Sequence, residues 1–316
     1  MKKVLLATTA IIASASAAAA DVTLSGSGRF GIVYDSSMDA AGQSKTKVEK
    51  RMTINIDGSG STDGGLEFGG RIRLRSDEGD AAGATSSANI WMGNDMFRIT
   101  VGNTDGALVN RVAYFDGSVG LTGLHDADNS FNIGTTSFPL NTYSSRGNSG
   151  DVVRLDFNVG GFGVSLSTDS TGDHLSNGSE DAIAASYNFG DWTVAAGYAK
   201  NANNSASSAG ELDLWSLSVA GNIGDFGVNV NYSDLETIGT KAVLSGSYTF
   251  DATTVTAFVA NTSEDTLGSA GIGATGDETE YGLGFTHNLG GATLAGGISR
   301  NYTEETMADL GVRFSF

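Results

Sequence analysis

Apolar and polar side chains alternate along almost the whole chain. In residues 66–75, Leu66, Phe68, Ile72 and Leu74 fall on one face of an extended segment, and Glu67, Arg71, Arg73 and Arg75 fall on the other. A period of two is the signature of a β-strand, whose successive side chains point to opposite sides. The pattern recurs in 48–56, where Val48, Met52, Ile54 and Ile56 oppose Glu49, Arg51, Thr53 and Asn55. Lys50 interrupts the apolar face there and suggests a position near an interface. Segments 152–159, 226–233 and 309–316 repeat the alternation, and about sixteen runs can be drawn, 86–93 and 292–302 among them. Most approach the ~9–11 residues of a tilted membrane-spanning strand.

The connections divide into two kinds. Gly160-Gly161, Gly190-Asp191, Gly224-Asp225, 251–253 and 288–291 are tight, whereas 35–46, 169–179, 201–210 and 262–277 are longer and polar. Short and long connections alternate, so all the short ones fall at one end. Outer-membrane barrels are built this way, and a soluble sandwich has no reason to be. The single proline, Pro139, lies outside every predicted strand, as a closed ladder requires. Aromatic residues such as Trp192, Phe226, Tyr232, Phe250 and Phe316 cluster near strand ends, as girdles at a membrane interface do. The expected fold is all-β, an antiparallel transmembrane β-barrel of about sixteen strands.

Composition narrows the possibilities. The 316 residues include 45 Gly and no Cys, and the net charge is −18. Without cysteine there is no disulfide framework, thiolate nucleophile or thiolate metal site. An acidic chain lacks the basic face that nucleic acid needs. The first twenty residues form a secretory signal: Met1-Lys2-Lys3 is positive, Val4–Ile12 is apolar, and Ala18-Ala19-Ala20 precedes the expected cleavage before Asp21. The apolar part is shorter than the ~20 residues of a helical anchor. Cleavage removes two lysines and leaves a net charge of −20 on residues 21–316, the expected single barrel domain.

Residues 103–150 contain no alternating run of strand length. A loop this long inside a compact domain is usually functional. A barrel of about sixteen strands encloses an aqueous lumen, and a long loop folded inward narrows it. The candidate constriction residues on that loop are Asp105, Asp116, Asp126 and Asp128. On the wall they are Arg29, Arg51, Arg71, Arg73, Arg75 and Arg98, all on the polar face of the first five strands. A charge facing lipid at the midplane costs roughly 2–4 kcal/mol, so these arginines belong inside. Opposed acidic and basic rows set a field across the pore, and charged rings set ion preference. The net charge favours cations, while the arginine wall opposes them.

The signal segment, the mature start Asp21-Val22-Thr23-Leu24-Ser25-Gly26, the Gly65-Leu66-Glu67-Phe68-Gly69 strand and the ending Asp309–Phe316 resemble the general diffusion porins of alphaproteobacteria, the Rhodobacter-like type. The resemblance covers essentially the whole mature chain. It implies a sixteen-stranded barrel in the outer membrane of a Gram-negative bacterium, among lipid and lipopolysaccharide, assembled as a homotrimer. It also implies that 103–150 is the inward-folded third outer loop and that Phe316 is read by the barrel-assembly machinery. Family members bind calcium near this loop, which makes Asp126 and Asp128 candidate ligands. No cofactor is otherwise implied. The expected function is passive diffusion of small hydrophilic solutes and ions through a water-filled channel, without enzymatic activity.

Other readings have less behind them. Gly26-x-Gly28-x-x-Gly31 has dinucleotide-loop spacing but sits within a strand run and leads to no helix. Asp57–Asp63 starts like a calcium loop, yet Thr62 and Phe68 stand where an EF-hand needs Gly and Glu. A hydrolase would need a histidine base, and only His125, His174 and His287 are available. A substrate-specific channel, a plugged barrel acting as an adhesin or hydrolase, and a soluble adhesion protein remain as alternatives.

Overall fold

The computed structural model describes residues 21–39, 42–112, 119–124, 143–146, 151–169, 180–200, 213–236, 239–263, 279–301 and 304–316. Residues 1–20 lie outside that set. The described chain is dominated by strands: β1 (Asp21–Asp35), β2 (Thr46–Ser61), β3 (Glu67–Asp77), β4 (Ala84–Thr85), β5 (Asn89–Gly93), β6 (Phe97–Gly102), β7 (Val152–Val159), β8 (Phe162–Asp169), β9 (Asp181–Phe189), β10 (Trp192–Lys200), β11 (Leu214–Ile223), β12 (Phe226–Leu235), β13 (Gly239–Phe250), β14 (Thr253–Thr262), β15 (Thr279–Asn288), β16 (Thr293–Arg300) and β17 (Thr306–Ser315). One short helix, α1 (Ala107–Arg111), follows β6.

Every strand pairs antiparallel with its neighbours, and β17 pairs back onto β1. Because β4 and β5 both pair with β3, they form one broken stave, and the closed barrel has sixteen. The break falls inside the run expected over 86–93. There Ser86 keeps one ladder bond, its N–H donating to Arg73 O (2.8 Å), but its Oγ rather than its carbonyl accepts from Arg73 N–H (3.0 Å). A serine that bonds the neighbouring backbone competes with strand pairing in this way.

The pairing between first and last strands closes the sheet. It runs from Ser27↔Ser315 to Asp35↔Met307, and Phe316 exchanges two backbone hydrogen bonds with Gly26, of 2.7 and 2.9 Å. Bilayer hydrocarbon offers no partner to a free N–H or C=O, so only a closed ladder satisfies the backbone. The rings of Phe314 and Phe316 lie across Gly28 and Gly26 on the outer face; a Cβ at Gly28 would stand 2.6 Å from the Phe314 ring.

Strand parity turns the usual protein inside out. Ile32, Leu244, Leu283 and Leu310 point outward and are each at least 50% exposed. Inward positions are polar and shielded, among them Ser216, Asn231, Ser233 and Ser245. The buried Lys241 and Glu280 form an ion pair of 3.9 Å on this inner face. Exposed apolar surface on this scale is untenable in water and suits lipid. Lys50, the break in the apolar pattern, is exposed and reaches Glu78 at 3.8 Å, beyond the end of β3.

At the short-turn end, Gly160, Gly190 and Gly224 have φ of 58–61°, the left-handed geometry that two-residue hairpins require. Stacked aromatics ring that end: Phe226 on Tyr248 (4.4 Å between centroids), Tyr248 on Phe250 (6.0 Å) and Phe314 on Phe316 (6.3 Å). Toward the other end Trp215 packs on Tyr232 at 5.3 Å.

Replacing outward Leu244 with Arg should lower stability by roughly 2–4 kcal/mol in lipid. The same change at Thr254, which lines the interior, should cost markedly less. Denaturant titration of both variants in vesicles reads the difference.

Candidate functional site

The interior is charged along one wall. Arg29 on β1 donates to Glu49 Oε1 (2.7 Å), and Arg51 on β2 donates to Asp77 Oδ1 (2.5 Å). Arg75 on β3 shares Asp77, at 2.8–3.0 Å. Arg73 is held by neutral groups: Nε donates to Asn55 Oδ1 (2.8 Å), Nη1 to Ser145 Oγ (2.7 Å), and the guanidinium lies 4.8 Å from the Tyr143 ring centre. Register places Arg313, Arg29, Arg51 and Asp77 in one cross-strand row over β17, β1, β2 and β3. Arg29, Arg51, Arg73, Arg75 and Arg313 line a cavity of about 890 Å³, together with Thr249, Asp251, Thr254 and Thr286 from the β13–β15 stretch of the wall.

Two of the expected wall arginines stand apart from this group. Arg71 faces inward but is occupied with Asp57 at 2.6 Å. Arg98 is exposed beside the 94–96 turn, with its guanidinium 4.2 Å from the centre of the Trp91 ring. It stands at the mouth of the short-turn end.

The described parts of 103–150 touch the inner wall at three separate places. First, α1 packs on β8, β9 and β10. Ala107 N–H donates to Ser167 Oγ (2.8 Å), Asn110 Nδ2 to Asp156 Oδ1 (3.0 Å) and Arg111 Nε to Ser165 Oγ (2.7 Å). Leu108 fits where Gly197 carries no side chain; a Cβ there would overlap it.

Second, residues 119–122 lie against the last strands. Asp309 on β17 accepts from Leu121 N–H (2.8 Å), Thr122 N–H (2.7 Å) and Thr122 Oγ1 (2.7 Å). Val119 packs with Val243, Phe258 and Ala260. Third, residues 143–146 return to β3. Besides the Arg73 contacts, Arg146 bridges Asp77 (3.3 Å) and Asp80 (2.9 Å).

Asp105, the described member of the expected acidic row, accepts from Tyr143 N–H (2.7 Å) and joins the two ends of the loop. Asp116, Asp126 and Asp128 lie outside the described residues, as do His125 and His174. His287 shares a hydrogen bond with Thr253 Oγ1 (2.8 Å) near a short turn. Among the described residues no three His, Cys, Asp or Glu side chains are grouped to hold a metal ion. The glycine motif 26–31 lies within β1, and Asp57–Asp63 spans the end of β2 and its turn.

Sequence reasoning missed Arg313, Asp309, Asp77 and Arg146. A signal existed for the first two: both share the polar parity of the last strand, which barrel closure sets beside the first. The loop partners of Asp77 and Asp309 are 69 and about 188 positions away, and no local pattern points to them.

A closed barrel with an apolar exterior and a charged, water-accessible interior defines a transmembrane β-barrel channel. The chain belongs to the Gram-negative porin family, whose profile matches residues 7–306. It is 29% identical over 307 residues to a porin of Fuscovulum blasticum, covering 94% of this chain and all of the relative. It is also 29% identical over 326 residues to a porin of Rhodobacter capsulatus, with the same coverage. A triple mutant of Rhodopseudomonas blastica porin superposes with a TM-score of 0.77 at 28% identity, covering 94% of this chain and 100% of that one. An engineered protein studied for asymmetric conductivity matches with a TM-score of 0.76 at 29% identity, with the same coverage. The family is one of outer-membrane channels.

Replacing Asp309 with Ala removes the acceptor of three hydrogen bonds and should destabilise the 119–122 segment by roughly 2 kcal/mol or more. Faster hydrogen exchange at the Leu121 and Thr122 amides is the readout. Asp80, in the connection after β3, is held below the ordinary carboxylate range first by the Asp77 N–H and then by Arg146. A depressed folded-state pKa gives stabilisation that is present above the unfolded value and lost as pH falls through the folded one. The Arg146 tie should therefore survive acidification through the ordinary carboxylate range and release only below it. An NMR titration following the Arg146 amide tests this, and Asp80→Asn should remove the Asp80 contribution and leave Arg146 tied to Asp77 alone.

Proposed function

We propose that residues 1–20 direct export and that residues 21–316 form a general diffusion pore narrowed by 103–150. The observation that carries this reading is the three-point attachment of that loop inside the barrel, at Ser165–Ser167, Asp309 and Arg73–Asp77. A loop tied at points around the inner wall narrows the passage without sealing it, and a cavity of about 890 Å³ stays beside it. Solutes cross by diffusion and need no covalent step or energy source. Size exclusion follows from the gap between loop and wall, and charge preference from the side chains facing that gap.

The short-turn end and both chain termini face the periplasm in this reading, and the long loops face outward among lipopolysaccharide. The exposed Phe316 ring, 61% accessible, is available to the assembly machinery. Assembly is as a homotrimer. Asp126 and Asp128 are retained as candidate calcium ligands.

Purified mature protein in a planar bilayer should give large, ohmic conductance steps grouped in threes. Absence of conductance from a folded, detergent-stable barrel would move the assignment to a plugged barrel or adhesin. Saturation by one solute class would favour a substrate-specific channel.

A further inference from the structure

The chain is strongly acidic, with a net charge of −18, yet its interior cavity is not. Five arginines line it, and Asp251 is the one carboxylate among the lining residues. Glu49 neutralises Arg29, and Asp77 is divided among Arg51, Arg75 and Arg146, the last of which also takes Asp80. Arg73 has Asn55, Ser145 and Tyr143 for partners, none of them anionic. Arg313 makes no ion pair among the described residues, although register sets it directly beside Arg29, which in turn sits beside Arg51. Cross-strand neighbours have Cβ atoms about 4.5–5.5 Å apart, and like charges at that spacing repel. A row of this kind is stabilised by an anion from solution.

Chemistry selects the kind of anion. A guanidinium presents parallel N–H donors that match two oxygens of one oxyanion, and it is the preferred side chain for phosphate and carboxylate. Thr249, Thr254 and Thr286, from β13–β15 farther along the same stretch of wall, line the same cavity and add hydroxyl groups that can bond the remaining oxygens. Chloride offers no such geometry. We propose that the arginine wall is a binding site for small polyvalent oxyanions, the phosphate and sulfate class, with Arg313 and Arg73 as its uncompensated cations. The ion preference of the pore is then anionic, against the sign of the whole chain. The proposal rests on the open-channel reading only for access to the site.

Two measurements on the full mature barrel test it. In planar bilayers with chloride as carrier, millimolar inorganic phosphate should reduce the conductance saturably, and a salt gradient should give a reversal potential of anionic sign. Arg313→Gln and Arg73→Gln should each raise the half-blocking phosphate concentration several-fold and move the reversal potential toward cations. Lys50→Gln, which removes the same charge from the outer face, should change neither. Phosphorus NMR line broadening on detergent-solubilised barrel reads binding independently of conduction. Broadening that Arg313→Gln weakens supports the site even where no current flows, and that result would sink only the channel reading. A conducting wild-type pore with no phosphate block and no broadening overturns the oxyanion site and leaves the channel reading intact. Equal loss in Lys50→Gln overturns it too, because the effect would then be general electrostatics.

Discussion

The fold depends on one demand: every backbone N–H and C=O at membrane depth must find its partner within the chain. Pairing β1 with both β2 and β17 meets it. Once the ladder closes, strand parity is fixed around the whole circumference, because a slip of one residue would turn every side chain to the wrong face. The exposed leucines outside and the serines, asparagines and arginines inside are two readings of the same register. The arginine row is a product of closure as well, since Arg313 and Arg29 come from opposite ends of the chain and meet only where the sheet joins itself.

The interior then solves a second problem, the placement of a long loop. Polar wall positions serve as its anchor points. Asp309 and Arg313 share one strand and one parity, yet the first binds loop backbone and the second faces open water. Asp77 does both kinds of work, holding two wall arginines and one from the loop. Tight packing assists at glycines such as Gly197, where the absent side chain admits Leu108.

Much of this was readable in advance. Period-two runs located the strands, tight turns marked one end, and parity placed Arg29, Arg51, Arg73 and Arg75 inside. The failures have physical reasons. Ser86 breaks a stave through a side-chain hydrogen bond, which alternation does not register. Parity could not separate Arg73, with its neutral partners, from Arg71, which Asp57 occupies, because that depends on cross-strand neighbours. Arg98 has the inward parity, and its place beside the 94–96 turn and over the Trp91 ring depends on a cross-strand neighbour as well. Asp105 carries the expected charge but spends it on Tyr143 at the loop base, a contact set by the loop's return path.

The Asp309 attachment has a mechanical consequence. A thin hollow cylinder flattens easily under sideways load, and a bilayer exerts lateral pressure that varies with its composition. The loop runs covalently from β6 past α1 on β8–β10, is tied to β17 at Asp309, and returns to β3 through Arg146. Its ties fall on widely separated staves, so it acts as an internal cross-brace. Ovalisation of the barrel must stretch hydrogen bonds as well as bend the sheet. The aperture should therefore keep its cross-section when the surrounding lipid changes thickness or curvature.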